Sequence, residues 1–348
     1  MEKGRPRRMR QRTVALSVGL AAGFLAICLF ACGNGAPKEA SSAPAASQLS
    51  SAAAQTSASP AAAASDALPA DKTGGFDGAK AFDHVAKIVA IGPRPPDSDG
   101  IHRVQDYIHG QLKSFGCTFE DDDFHSSTPI GSVAMKNIVV KIPGTSPDII
   151  LLLTHYDSLK KDGFVGAEDS ASSTGLMLEM ARLLCPKKQK LGVWIAFLDG
   201  EEAFVDWNQD NDNTYGSRQL AARMALADEL KHVKAVILAD MIAQKNLRLM
   251  REANSTGWLA ELVWSTAAKL GYQDVFVPQT TSEIADDHLP FKQRKLAVVD
   301  IIDLNDYIDL GYWHTSEDTM DKLSAKNLGI VGHVILATVD ELQVHNGH

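Results

Sequence analysis

Apolar positions along the chain fall into three regimes. Residues 14–31 form one nearly unbroken apolar run, preceded by Arg5, Arg7, Arg8, Arg10 and Arg12. Positive charge, an apolar stretch and then small residues is the layout of an export signal. Residues 33–75 are almost entirely Ala, Ser, Pro, Gly and Gln, as in Ser41-Ser42-Ala43-Pro44-Ala45-Ala46-Ser47. Such a tract has little to bury, so it is expected to stay disordered and act as a spacer.

From Phe76 onward, helical and strand periodicities alternate. Residues 79–89 read as an amphipathic helix stopped by Gly92-Pro93-Arg94-Pro95-Pro96, and 102–115 as a second helix ended by Gly116. Runs rich in Val, Ile and Leu at 137–142, 149–154, 191–198 and 235–239 predict buried strands, with a later apolar run at 296–302. Helical patterns occupy 172–184, 215–226, 258–270 and 324–342. This alternation predicts a single α/β domain over 76–348, with a central, mostly parallel mixed β-sheet and helices on both faces.

Composition narrows the function. The chain has 348 residues, a formal net charge of -9, and 45% hydrophobic and 22% charged residues. That is long enough for one large core. The acidic balance argues against nucleic acid, because phosphate binding needs clustered Lys and Arg. Leu29-Phe30-Ala31-Cys32-Gly33 resembles a bacterial lipobox. Acyl chains on Cys32 would hold the mature protein at a membrane surface without a spanning helix. An uncleaved signal anchor is the other reading, since the run is nearly long enough to span a bilayer. Either reading exports the domain to the periplasmic side or cell surface of a bacterium. The expected division is 1–32 signal peptide, 33–75 linker and 76–348 catalytic domain. Cys117 and Cys185 are read as buried apolar residues; export permits a disulfide between them but does not demand one.

In a parallel sheet, ligands bind beyond the carboxyl ends of the strands, so polar clusters should gather there. Strand 149–154 ends in His155-Tyr156-Asp157-Ser158, strand 191–198 in Asp199-Gly200-Glu201-Glu202, and strand 235–239 in Asp240. The run at 296–302 leads through a loop to Trp313-His314-Thr315, and Gly166-Ala167-Glu168-Asp169-Ser170 forms a turn feeding a helix. Carboxylates at a core edge are costly unless something positive sits among them. Imidazole mixed with carboxylate suits zinc better than magnesium or calcium. The Glu201-Glu202 pair allows one carboxylate to ligate a metal while its neighbour moves protons.

These stretches, with Asp240 and His314, resemble the zinc-aminopeptidase superfamily from about residue 76 to the end. Within it the chain is more similar to glutaminyl cyclases (glutaminyl-peptide cyclotransferases) of bacterial type. That similarity is carried by Asp199-Gly200-Glu201-Glu202-Ala203-Phe204 with Trp207 and Tyr215-Gly216-Ser217-Arg218. It is carried too by Asp286-Asp287-His288-Leu289-Pro290-Phe291 and by Trp313-His314-Thr315. The resemblance implies one zinc per chain, held by Asp169, Glu202 and His314. Glu201 would be general acid and base, with Asp240 and Asp286 as catalytic partners around it. Trp207 and Trp313 would wall the substrate pocket. The implied activity is an acyl transfer that closes the N-terminal glutamine of peptides or proteins to pyroglutamate and releases ammonia. A monomer is expected, with no organic cofactor.

His155 and Asp240 match second-metal ligands of two-zinc aminopeptidases. An exported zinc aminopeptidase with two metals is therefore the alternative, and His155 either binds that second metal or supports the first. Asp199 is read as a structural carboxylate satisfied by turn amides, Asp157 and Ser158 as turn caps, and Trp258 and Trp264 as helix packing. His345 and His348 are assigned to a frayed terminus. The chain departs from the animal cyclases at Asp300, where those enzymes usually carry histidine, and in the loop at 304–312.

Overall fold

The structure, a computed structural model, describes residues 66–208 and 211–344. The expected signal peptide, most of the linker, His345 and His348 lie outside the described residues. The domain starts earlier than the composition suggests. Asp66 accepts hydrogen bonds from Ser324 Oγ (2.5 Å) and Lys326 N (3.2 Å), and Thr73 is fully buried. Residues 66–75 therefore belong to the fold and not to the linker.

The chain opens with two helices, α1 (Gly78–Ile91) and α2 (Asp99–Ser114), capped by Asp77 and Ser98 side chains that accept first-turn amides. A hairpin comes next, β1 (Phe119–Thr128) and β2 (Gly131–Ile142), paired antiparallel along its length. After it lie β3 (Ile149–His155), α3 (Ser173–Leu184), β4 (Gly192–Leu198), α4 (Tyr215–Leu226) and β5 (Val233–Asp240). A small excursion contains β6 (Leu249–Arg251), α5 (Gly257–Lys269) and β7 (Phe276–Thr280). The chain closes with α6 (Leu289–Lys292), β8 (Val298–Ile302), α7 (Leu304–Asp309) and α8 (Ala325–Val344).

The main sheet has strand order β1-β2-β4-β3-β5-β8. β4, β3, β5 and β8 run parallel, and the β1–β2 hairpin joins antiparallel through β2. The sheet is thus mixed and mostly parallel, as the alternation predicts, with the four parallel strands side by side from β4 to the β8 edge. Successive residues of β3 face opposite layers. Ile150 and Leu152 pack with α1, α2, α3, α5 and α8, while Leu151 and Leu153 pack with Leu220, Ala221 and Met224 of α4. Burial on both faces is why these strands read as continuous apolar runs. The carboxyl ends of the four parallel strands therefore share one edge.

β1 was not expected. Its sequence, with Glu120, Asp121, Asp122 and Asp123 in a row, carries no apolar alternation. Cations from neighbouring elements hold it instead: Lys136 reaches Asp121 (2.8 Å) and Asp123 (2.7 Å), and Arg223 reaches Glu120 (2.6 Å). Cys117 and Cys185 are half-buried and joined by a disulfide, which links the chain just past α2 to the C-cap of α3. This corrects their reading as buried apolar residues; packing of α2 beside α3 brings together positions that sequence separation hides. Trp264 packs in the core as expected, whereas Trp258 is 41% exposed at the start of α5. Among the described residues, no helix is long and apolar enough to cross a membrane.

Candidate active site

Each polar cluster is delivered to the shared edge by a specific local device. His155 and Asp240 are the last residues of β3 and β5. After β4 the chain turns at Gly200, whose φ is +73 and where a Cβ would lie 2.6 Å from Met135 Sδ. Only glycine makes that turn without strain. Asp157 fixes the glutamate pair beyond the turn: its carboxylate accepts the amides of Glu201 (3.1 Å) and Glu202 (3.3 Å) and lies 3.3 Å from His155 Nδ1. It orients the two glutamates and one histidine together, a larger role than the turn cap expected of it. Asp199 accepts the amide of Lys136 on β2 at 2.9 Å and the Tyr156 hydroxyl at 3.3 Å, so the adjacent strand and the end of β3 help the turn amide of Gly200 to satisfy it.

Asp169 sits in a π-helical turn, Ala167–Ser172, where it departs from helical geometry at φ -109 and ψ 88. Two buried residues that sequence reasoning missed hold this turn. Arg94 donates to the carbonyls of Tyr156 (2.8 Å), Val165 (2.5 Å) and Gly166 (2.9 Å). Asp318 accepts the amides of Glu168 (2.7 Å) and Asp169 (3.2 Å). Arg94 is hidden in a proline-rich stop signal; an arginine among prolines between two apolar elements was the available hint. Asp318 gave no signal beyond lying four residues after His314.

The structure brings the expected metal ligands together. His314 Nε2 lies 3.3 Å from Asp169 Oδ2 and 3.3 Å from Glu202 Oε2. His155 Nε2 lies 3.2 Å from Asp169 Oδ1 and 3.1 Å from Asp240 Oδ1. Asp169 thus presents one oxygen to each histidine. Asp169–Glu202–His314 and His155–Asp169–Asp240 each have donor atoms within 4.8 Å of one another. Both oxygens of Glu202 are buried without a hydrogen-bond partner. An orphaned carboxylate beside an aspartate and an imidazole is a donor set that a zinc ion would satisfy.

Burial, reinforced by Asp169, raises Glu202 to about 7. Burial lowers the affinity of His314 for a proton, but the carboxylates of Asp169 and Glu202, each 3.3 Å from its Nε2, outweigh it and raise His314 to about 10. Burial opposes ionisation of Asp169 too, yet His155 and His314 hold it below the usual carboxylate range. Glu201 is pushed well above its ordinary value by burial; His155 offsets part of this and Asp286 adds to it. Asp240 and Asp286 are likewise raised, chiefly by burial.

Asp169, Glu201, Trp207, Asp240, Asp286, Trp313 and His314 line one cavity of about 210 Å³, with Ile284, Ile302 and Leu304 forming apolar wall. Trp313 stacks on His314, ring centroids 4.0 Å apart. His155 and Glu202 stand behind this lining. Asp300 is fully buried under the site. Its carboxylate lies 3.6 Å from His288 Nδ1, while His288 Nε2 lies 3.5 Å from Glu252. The loop at 304–312 contains a short helix, α7, whose Tyr307 hydroxyl reaches Asp318 at 2.7 Å.

The family model of peptidase family M28 matches residues 137–339. A solved structure of an Acidobacteriales bacterium glutaminyl cyclase is 36% identical, with a TM-score of 0.73 over 77% of this chain and 95% of that one. A Zn-dependent exopeptidase from Parabacteroides distasonis is 27% identical, with a TM-score of 0.70 over 76% of this chain and 98% of that one. The glutaminyl-peptide cyclotransferase of Boiga irregularis is 28% identical, the match covering 71% of this chain and 77% of that protein.

Proposed function

The chain belongs to peptidase family M28, and we propose that within it the protein is a glutaminyl-peptide cyclotransferase, converting N-terminal glutamine of peptides and proteins to pyroglutamate with release of ammonia. One observation carries this reading. Trp207 and Trp313 line the same cavity of about 210 Å³ as Glu201, beside the candidate metal ligands Asp169 and His314. The similarity to glutaminyl cyclases, one at 36% identity, supports it.

Asp169, Glu202 and His314 are the residues we assign to zinc, which when bound would act as a Lewis acid on the γ-carbonyl oxygen of the glutamine. Glu201 takes a proton from the α-amine, freeing the nitrogen lone pair to attack the γ-carbon and close a five-membered ring. The C–N bond to the side-chain amide nitrogen then breaks. Glu201 returns its proton to that nitrogen, which departs as ammonia. A carboxyl whose proton affinity is raised by burial and by Asp286 suits both halves of this transfer. Asp240 and Asp286 face the same cavity and keep the negative charge density around Glu201 high. His155, between Asp169 and Asp240, orients both. Trp207 and Trp313 exclude water from the reacting amide.

Export and a lipid anchor at Cys32 complete the proposal, with the residues beyond it tethering the domain at a membrane surface. A second reading, a two-metal aminopeptidase, is favoured by one observation: the donor set His155–Asp169–Asp240. Metal content separates the two, one zinc per chain for the cyclase and two for the peptidase. So does a paired assay of the purified domain, measuring ammonia from a Gln-initiated peptide and amine from an aminoacyl anilide. Anilide cleavage without ammonia release would sink the cyclase reading.

A further inference from the structure

A second cavity, of about 360 Å³, adjoins the first and shares Trp207, Trp313 and His314 with it. Its outer wall is formed by Lys160 and Lys161 on one side and by Phe204 and Val205 on the other. We propose that this cavity receives the residue immediately after the N-terminal glutamine and selects for an apolar side chain there over a cationic one. The proposal rests on the cyclase reading and deepens it.

Continuity argues for this occupant. A glutamine in the inner cavity is attached to a chain that must leave between the residues common to both spaces. Those are the tryptophans and His314, so the next residue emerges into the outer cavity. One wall of it offers an apolar patch, Phe204 and Val205. Val205 is 60% exposed, and Phe204 is half-buried, packed edge-on against Tyr215. Exposed apolar surface beside a binding cavity marks where a ligand covers it.

The loop carrying this surface is held by its backbone: the amides of Phe204 (3.2 Å), Val205 (2.9 Å) and Asp206 (3.0 Å) all donate to the buried Asp212 carboxylate. The Val205 side chain is therefore presented without supporting the loop itself. Across from it, Lys161 donates to the carbonyl of His314 at 2.8 Å, which places one ammonium at the shared wall. Lys160 is exposed and, among the described residues, makes no ion pair. Asp206 also lines the cavity and opposes part of this charge. An apolar second residue covers Val205 and Phe204, whereas a lysine would bring a third ammonium to the rim.

The test uses C-terminally amidated tripeptides Gln-Leu-Ala, Gln-Ala-Ala and Gln-Lys-Ala, with ammonia release as readout. The wild-type kcat/KM should fall in that order, with Gln-Leu-Ala exceeding Gln-Lys-Ala by about fivefold, the size expected from partial apolar burial and one exposed charge contact. In the double variant Lys160→Glu/Val205→Ser the order of Gln-Leu-Ala and Gln-Lys-Ala should invert. Each ratio is taken within one protein, so loss of overall activity does not mimic the effect. Equal rates on the three peptides, or a ratio unchanged in the double variant, would overturn the inference while leaving the cyclase reading intact. Failure of all three to release ammonia would defeat the cyclase reading itself.

Discussion

The hydroxyl of Tyr307 donates a 2.7 Å hydrogen bond to the buried carboxylate of Asp318. That carboxylate also accepts the amides of Glu168 and Asp169, while the Tyr307 carbonyl accepts the amides of Tyr312 (3.2 Å) and Trp313 (3.4 Å). One side-chain contact therefore braces the loop that carries Asp169 against the loop that carries His314. Partners standing behind metal ligands set how well the ligands are pre-positioned.

Removing the Tyr307 hydroxyl while keeping the ring should loosen both loops together. Tyr307→Phe is expected to weaken zinc binding by about 10- to 100-fold, read by competition with a chelator, with an unchanged far-ultraviolet circular dichroism spectrum. Wild-type affinity in this variant would contradict the brace.

Glu201 is expected to move protons without holding the metal. Glu201→Gln should keep zinc at wild-type stoichiometry while turnover drops by roughly 10²- to 10⁴-fold. Activity retained in that variant would refute the assignment, and loss of zinc would show that Glu201 is a ligand.

The disulfide between Cys117 and Cys185 closes a long segment that includes β1, β2 and β3. Replacing both cysteines by serine should lower stability by about 2–4 kcal/mol through greater freedom of the unfolded chain. The check is the urea midpoint of the variant, compared with wild type under oxidising and reducing conditions. A midpoint equal to that of the oxidised wild type would count against it.

Asp303 offers a pH test away from the metal ligands. Burial raises it from an ordinary 3.8 to about 7, partly offset by the hydrogen bond from Gln244 at 2.8 Å. Between those values the native state keeps a proton that the unfolded state has released. The contribution to stability is then complete below about pH 4 and is lost as pH rises through about 7. Asp303→Asn should flatten the stability profile across that window. A wild-type slope in the variant would show that the group does not titrate as described.

Much of the fold was legible because the parallel strands are buried on both faces. The runs that became β3, β4, β5 and β8 were visible as apolar blocks, and the rule for strand carboxyl ends led directly to His155, Glu201, Glu202 and Asp240. The hairpin strand β1 was illegible because paired charges, not apolar alternation, hold it. Arg94, Tyr307 and Asp318 are illegible for a related reason: Arg94 and Asp318 act on backbone carbonyls and amides far away in sequence, Tyr307 acts through Asp318, and no spacing rule connects them to Asp169. The disulfide was hidden likewise, since only the packing of α2 beside α3 brings its halves together. The approach of His288 to Asp300, at 3.6 Å, likewise exists only in the fold.

The central claim, cyclisation at Glu201 and Glu202 in place of hydrolysis, is tested most directly by intact-mass measurement of a Gln-initiated peptide after incubation with the purified domain. Cyclisation predicts a product lighter by one ammonia, with every residue still present. A product shortened by its whole N-terminal residue would contradict the account and assign the same carboxylates to peptide hydrolysis.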